Sequence, residues 1–327
     1  MKLKVLAIIV LGLLVLEKGN GQQMPIYGQY IFNSTVINPA HAGTGKEDSF
    51  GMLARYQWLG IKGAPITHSA YFNTRLPSNL GFSASLYNDI VGPITDVTTQ
   101  ADLAYRARIT ESLFVSFGIR AMASYIYFDM LGLQDITDPT DPNFSENFSS
   151  GIQLNAGAGL LAYNKTFFFG VAAPKILARS VSTTPASPSI TTPGEIYAVA
   201  RTFVAYTGNT FTVFDYRRND KLEFTPSVLF RLTDAAPLQL DLNAIFTYRN
   251  VFGFGPMART SFSDTGSGFD SVGFLVAIQL NPNWHLGYMY ELPTNDLRAS
   301  TKQTHELSLR YSWGKGKERI GVARCFN

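Results

Sequence analysis

In three segments of the C-terminal third of the chain, hydrophobic side chains fall on every second position. Residues 222–232 set Leu222, Phe224, Pro226, Val228, Phe230 and Leu232 against Glu223, Thr225, Ser227, Leu229 and Arg231. Residues 238–248 repeat the pattern, with Leu238, Leu240, Leu242, Ala244, Phe246 and Tyr248 on one side and Gln239, Asp241, Asn243, Ile245 and Thr247 on the other. In 305–313, Leu307, Leu309, Tyr311 and Trp313 alternate with Glu306, Ser308, Arg310 and Ser312. A period of two in segments rich in aromatic and β-branched residues predicts strands and excludes helices. The same reading predicts about fourteen strands, near 49–58, 67–76, 79–88, 96–109, 112–125, 151–163, 166–173, 195–216, 221–232, 238–248, 251–259, 271–280, 284–290 and 304–313. Within the eighth, Thr207-Gly208-Asn209 marks either a bulge or an extra hairpin.

The connections predict which way the strands face. Short turns at 77–79, 110–111, 164–165, 217–220, 249–250 and 281–283 alternate with longer loops at 59–66, 126–150, 174–194, 260–270 and 291–303. A soluble sandwich has no need of that alternation. A transmembrane outer-membrane β-barrel does, with antiparallel strands of about ten residues, short periplasmic turns and longer extracellular loops. Composition agrees: 46% of the 327 residues are hydrophobic and only 16% charged, against about a quarter charged in soluble domains. After residue 16 no run reaches the 18 or so apolar residues of a spanning helix. Tyr248, Trp284, Tyr311 and Trp313 fall near the inner turns, and Tyr56 and Trp58 near the outer end of the first strand, where headgroups favour amphipathic rings.

The ends of the chain read differently. Lys2 and Lys4 precede the apolar stretch 5–16 and the small or polar exit Gly19-Asn20-Gly21, the layout of a signal peptide over residues 1–21. Residues 22–48 form a lead that either plugs the lumen or lies across its base, 49–313 the barrel, and 314–327 a basic tail with Lys315, Lys317, Arg319 and Arg324. The single thiol, Cys325, has no intrachain partner. Removal of the leader brings the formal net charge from +3 to roughly +1, which gives no footprint for nucleic acid.

If the apolar stripes meet lipid, the opposite faces carry charge into the lumen. Arg55, Arg75, Arg106, Arg108, Arg120, Arg201, Arg231 and Arg310 then point inward with Asp102, Glu223, Asp241 and Glu306. Guanidinium forks suit buried, multiply bonded ion pairs, so these residues read either as a network packing the lumen or as the lining of an anion-selective channel. Catalytic chemistry is scarce. Of the four histidines His41, His68, His285 and His305, His68 and His305 begin strands that flank the first strand once a barrel closes, but Ser69 and Ser308 fall on the opposite face. Gly157 and Gly159 precede no helix, so no phosphate loop is expected. Asp135, Asp138 and Asp141, beside Pro139 and Pro142, read as turns more readily than as a calcium site. No cofactor and no enzymatic activity are expected.

Two motifs carry a resemblance. The segment 22–45, QQMPIYGQYIFNSTVINPAHAGTG, supplies Tyr30, Phe32, Asn33, Asn38, Pro39, Ala40, Ala42 and Gly43, with His41 where an aromatic is usual. Residues 55–68, RYQWLGIKGAPITH, supply Arg55, Gln57, Trp58, Gly60, Gly63, Ala64, Pro65 and Thr67. Together they resemble the PorP/SprF family of the Bacteroidetes type IX secretion system. Further matches run in order through Asn88-Asp89, Gly92-Pro93, 141–144, 170–174, Pro226-Ser227 and 305–307. The resemblance implies a non-enzymatic outer-membrane protein that helps export or anchor a secreted surface protein such as an adhesin. Its implied partners are the substrate's C-terminal domain outside, ring or lipoprotein components of the apparatus in the periplasm, and outer-membrane lipid. A passive porin or small-solute channel is the alternative.

Overall fold

The computed structural model describes residues 25, 27–45, 47–132, 147–182, 195–216, 220–234, 236–263 and 266–314. The leader 1–21, the tail beyond Gly314 and the Asp135, Asp138 and Asp141 cluster lie outside the described residues.

Two short 3-10 turns, Ser34–Val36 and Pro39–His41, precede the strands. The first seven strands are β1 (Asp48–Tyr56), β2 (Ile66–Arg75), β3 (Leu80–Val91), β4 (Ile94–Arg108), β5 (Phe114–Phe128), β6 (Phe148–Tyr163) and β7 (Phe167–Lys175). They are followed by β8 (Arg179–Ser182), β9 (Glu195–Val199), β10 (Thr202–Asn209), β11 (Phe211–Asp215), β12 (Lys221–Thr233) and β13 (Leu238–Tyr248). The last four are β14 (Phe252–Ser263), β15 (Gly266–Gln279), β16 (Trp284–Pro293) and β17 (Thr304–Trp313).

Neighbouring strands pair antiparallel, β10 meets β12, and β1 pairs with β17 from Asp48↔Trp313 to Tyr56↔His305. The sheet is therefore closed. β10 and β11 both pair with β12 and form two halves of one wall strand interrupted at Thr210, so the wall has fourteen strands. Closure leaves no long sheet edge, which is how β structure crosses a bilayer with its backbone satisfied.

Period-two patterning produces a wall inverted relative to a soluble protein. In β5 the inward positions Ser116, Arg120, Met122 and Ser124 are buried, while outward Phe117 and Ile119 are each 50% exposed. Exposed Met52, Leu103, Phe274 and Leu307 continue the apolar band on other strands.

Three expectations need correction. Residues 195–199 do not extend the eighth strand; they pair with β8 as a separate hairpin. The chain turns where Arg201 is anchored to Asp234 through both its backbone N and its Nε (3.3 and 2.7 Å). The strand continues through Thr207-Gly208-Asn209 without an extra hairpin. Finally, the outer connections are unequal: β3 and β4 are joined only by 92–93, β14 and β15 only by 264–265, and β12 and β13 by 234–237. The expected loop 260–270 is mostly strand because a register shift between Arg259 and Thr260 absorbs an extra residue and lets pairing continue. Long outer connections remain at 57–65, 129–147, 176–201 and 294–303, whereas all inner turns are short.

Candidate functional site: a lumen filled by the N-terminal segment

Residues 27–45 run inside the barrel from its outer half down to the inner rim, where the chain enters β1. Tyr27, Tyr30, Ile31, Ile37, Asn38, Ala40 and His41 are all buried there. Asn38-Pro39 explains why no strand forms. Proline removes a donor and fixes φ, while the Asn38 side chain accepts from Ala40 N at 2.8 Å and caps the 3-10 turn.

The wall makes room with glycine at two close approaches. A Cβ on Gly118 would meet the backbone of Pro39 and Ala40, and one on Gly81 the Ala42 carbonyl.

Polar contacts pin the segment at four levels. Near the outer end, Glu306 accepts from Gly28 N (3.0 Å), Gln29 N (2.7 Å) and Arg55 Nη1 (2.8 Å). Arg55 Nη2 donates to Glu291 (2.8 Å), which also accepts from Arg259 Nη1 (3.0 Å) and Ser271 Oγ. Arg259 forks onto Asp241 at 2.8 and 3.0 Å. One level down, Arg120 grips Asp102 with two bonds (2.7 and 2.8 Å) and donates to the Val36 (3.1 Å) and Thr35 carbonyls. Asn243 Nδ2 donates to Tyr30 Oη at 2.6 Å.

Lower still, Asn38 Nδ2 donates to Leu160 O (3.0 Å) and Tyr206 Oη (2.9 Å). His41 Nε2 lies 2.6 Å from the same hydroxyl, with the rings stacked. At the inner rim Gly43 N donates to Asn73 (2.7 Å), and Arg75 donates to the Gly43 and Gly45 carbonyls (3.1 and 3.3 Å). Buried charges survive when paired and hydrogen-bonded; here the ion pairs run within the wall, and Glu306 and Arg120 make further hydrogen bonds with the backbone of the segment.

The expected site residues divide by place. Arg55, Arg120, Asp102, Asp241 and Glu306 are in the networks above. Arg231 is buried and donates to Gln239 (2.8 Å), and Glu223 pairs with Lys221 at 2.7 Å. Arg106 lies over the Phe114 ring, 5.5 Å from its centroid. Arg310, opposite His285 in the β16–β17 register, lines a cavity of about 360 Å³ between the segment and the wall, with Asn33, Thr35, Tyr71 and Asn250.

Two expected lumen charges lie elsewhere. Arg108 is exposed at an inner turn, where it donates to the Thr110 and Glu111 carbonyls (3.2 and 3.1 Å). Arg201 precedes β10 and pairs with Asp234 at the outer rim. Arg259 and Glu291 escaped the sequence reading, although both sit at inward parity. Arg259 alternates with outward Phe252 and Phe262, and Glu291 with Trp284 and Tyr288.

The second motif splits at its first residue. Arg55 turns into the lumen, while the rest builds an outer loop. Gln57 N donates to Pro65 O (2.9 Å), Ala64 N to Ile61 O (3.2 Å), and Leu59 N to Gln303 O (2.9 Å). Trp58, Gly60 and Gly63 take positive φ. Asn33 accepts from Thr35 Oγ1 at 2.8 Å.

His68 and His305 do flank β1 at its outer end, but they bond to tyrosines on the outward face: Tyr56 Oη at 3.2 Å and Tyr288 Oη at 2.7 Å. The Ser69 hydroxyl is buried on the inward side and Ser308 donates to Gln29 (2.7 Å), so neither serine reaches an imidazole. Among the described residues no cluster of three His, Cys, Asp or Glu side chains is arranged to hold a metal.

A family model, "Type IX secretion system membrane protein PorP/SprF", matches residues 19–311. The chain belongs to the PorP/SprF family. It is accordingly an outer-membrane protein of type IX secretion, and its closed barrel is the wall that crosses that membrane. No curated protein matches. Among solved structures, the chain is similar to the Ralstonia pickettii toluene transporter TbuX, with 10% identity and a TM-score of 0.46 over 91% of this chain and 96% of that one. It is also similar to a Pseudomonas aeruginosa FadL homologue, with 11% identity and 0.46 over 89% and 95%, and to KdgM porin, with 10% and 0.38 over 81% and 99%.

His41 gives the PorP/SprF chain an acid-sensitive joint. Burial pushes the imidazole from 6.5 down to about 3. A folded-state pKa below the unfolded value contributes stability above the unfolded pKa and loses it as protons bind the unfolded chain. Stability should therefore fall between pH 6.5 and about 3, by up to about 1.4 kcal/mol per pH unit. His41→Phe should flatten that slope while keeping the stack on Tyr206. Urea midpoints of the detergent-solubilised barrel at pH 7 and pH 5 check this, and equal slopes for both proteins would refute it.

Proposed function

We propose that the chain is a non-conducting, non-enzymatic outer-membrane partner protein, which holds or helps export a secreted surface protein rather than passing solutes. The observation that carries this reading is the N-terminal segment, bonded to the wall at four levels. A solute channel needs a continuous aqueous path, and buried residues of the segment, from Tyr27 to His41, fill the lumen where that path would run. The outer connections 129–147 and 176–201 are the places for the substrate, because long surface loops on a rigid scaffold carry recognition more often than barrel walls do. The short inner turns and the cavity beside Arg310 face the periplasm, where ring or lipoprotein components of the secretion apparatus would dock. An adhesin's C-terminal domain is the substrate element this reading assigns to the outer side. Mild solubilisation of native membranes and affinity purification of the chain test it. A large surface protein or periplasmic apparatus components should co-purify at near-stoichiometric levels, and recovery of the bare barrel alone would refute the reading.

A further inference from the structure

One seam of the wall is not paired to its top. β6 and β7 pair from Ala158↔Ala173 to Tyr163↔Phe168, and the last backbone bond across them runs from Ile176 N to Ala156 O at 3.0 Å. Asn155 then closes the ladder with its side chain. Its Oδ1 accepts from Leu177 N (3.0 Å) and Ala156 N (2.8 Å), and its Nδ2 donates to Leu177 O (2.8 Å). Above this point β6 continues beside β5, with Tyr125↔Ile152 and Phe128↔Phe148 in register, and no strand among the described residues pairs with its other edge. Peptide groups alternate sides along a strand. Because Ala156 O turns toward β7, the peptide groups of Leu154 and Ile152 turn the same way, into the notch.

The notch opens at the outer, headgroup end of the wall. The register row through Ser49 passes Asn73, Ser83, Asp102 and Arg120 to reach Gly157. β1 extends one residue below that row and β6 six, to Tyr163. With inner turns at a common level, the row climbs about five residues, or roughly 12 Å at a 40° tilt, between β1 and β6. On that count Leu154 lies about one residue and Ile152 about three above the level of Tyr56 at the outer end of β1, and Ser149 about six. An edge that starts at headgroup level and rises from it opens toward water rather than hydrocarbon, where open edges do not occur.

Along the stretch beside the notch the edge carries neither the charge nor the proline that protects such strands from pairing. Residues 148–154 contain no charge and no proline. Ile152 is 74% and Leu154 60% exposed, and Ile176 and Leu177 are exposed across the notch.

We propose that the β6 edge at Ile152–Leu154 accepts an extended strand of the secreted partner polypeptide. Backbone pairing would supply the attachment, and alternate apolar side chains would seat beside Ile152, Leu154 and Leu177, the mode known as β-augmentation. This rests on the reading that the outer side receives a polypeptide. The register shift between Tyr125 and Tyr127 bends the strand above Ile152 and bounds the added strand there.

Leu154→Pro tests the assignment, since it deletes an N–H turned away from β5 and edge strands tolerate proline. Hydrogen exchange of the Ile152 and Leu154 amides is compared between the assembly purified from native membranes and the barrel refolded alone. Both amides should be protected at least tenfold more in the native assembly, and Leu154→Pro should lower the co-purified partner at least tenfold. Where Leu154→Pro does not assemble, as judged by heat-modifiable migration, Ile152→Lys keeps every N–H and should give the same loss. Partner retained by both variants, or amides unprotected in a partner-loaded assembly, overturns the edge assignment and leaves the partner reading intact. Protection already present in the refolded barrel overturns it in favour of the chain's own loops. Absence of any partner from the wild-type assembly overturns both.

Discussion

Glu291→Ala should destabilise the barrel by about 3 kcal/mol or more, the range for breaking a buried ion pair from one side. Glu291 accepts from Arg55 at 2.8 Å, from Arg259 at 3.0 Å and from Ser271. The three ionised side chains are each no more than 6% exposed. Alanine leaves two guanidinium groups with one fewer carboxylate between them. Arg55 retains Glu306 and Arg259 retains Asp241, which places the loss at the lower part of the range. Glu291→Gln preserves shape and one acceptor, so it should cost roughly half as much. The exposed pair Arg249–Asp220, at 3.5 Å with side chains 52% and 35% exposed, is the contrast: Asp220→Ala should stay within about 1 kcal/mol. Urea unfolding in detergent, followed by tryptophan fluorescence and heat-modifiable migration, measures all three. An alanine variant within 1 kcal/mol of wild type would show that the network adds no net stability at this position.

Glu291 also marks where sequence reading stops. The wall was legible because each strand has one apolar face, and parity alone places Arg120, Asp102 and Glu306 inward. Strand ends were not legible, since a ladder stops where geometry stops it and not where alternation fades. The reading ended one strand at 290, one residue short of Glu291, and another at Arg259, whose partner Asp241 becomes apparent only from the register Asp241↔Arg259. Residues 195–199, with Ile196, Tyr197 and Val199, have the composition of a wall strand, yet pair with β8, and the anchor of Arg201 on Asp234 that ends the wall there is a contact across 33 positions of sequence. For the N-terminal segment the chain offers only a breaker, Asn38-Pro39, and no period. Its place in the lumen depends on Gly118 and Gly81, which look like ordinary strand glycines until the backbone of 39–43 is found against them. The neighbours of β1 were recoverable: closure must bring His68 and His305 to its two sides, and it does. Their tyrosine partners follow from the outward parity of Tyr56 and Tyr288.

Deleting residues 25–45, with a short flexible linker left ahead of β1, should convert a barrel that is silent in planar bilayers into one that conducts steadily. A fourteen-stranded wall is wider than the eight-stranded barrels whose interiors side chains alone can fill, so the lumen needs the segment to close it. Its removal exposes to water the faces that now bond Gly28, Gln29, Thr35, Val36 and Asn38. Glu306 and Arg120 keep their wall partners Arg55 and Asp102, so the emptied pathway stays lined with paired charge and admits small ions of both signs. Gly118→Leu reaches the same end by one substitution, since its side chain occupies the space of Pro39 and Ala40. It displaces only part of the segment while the outer anchors on Glu306 remain, and intermittent openings are the expected record. The wild-type trace decides between functions. Silence from the full-length barrel, with conduction from the deletion, makes the segment a seal and leaves the outer edge and inner cavity as the surfaces that act. Steady conduction from the full-length barrel would return the molecule to the solute-channel class, with the segment as a lining rather than a stopper.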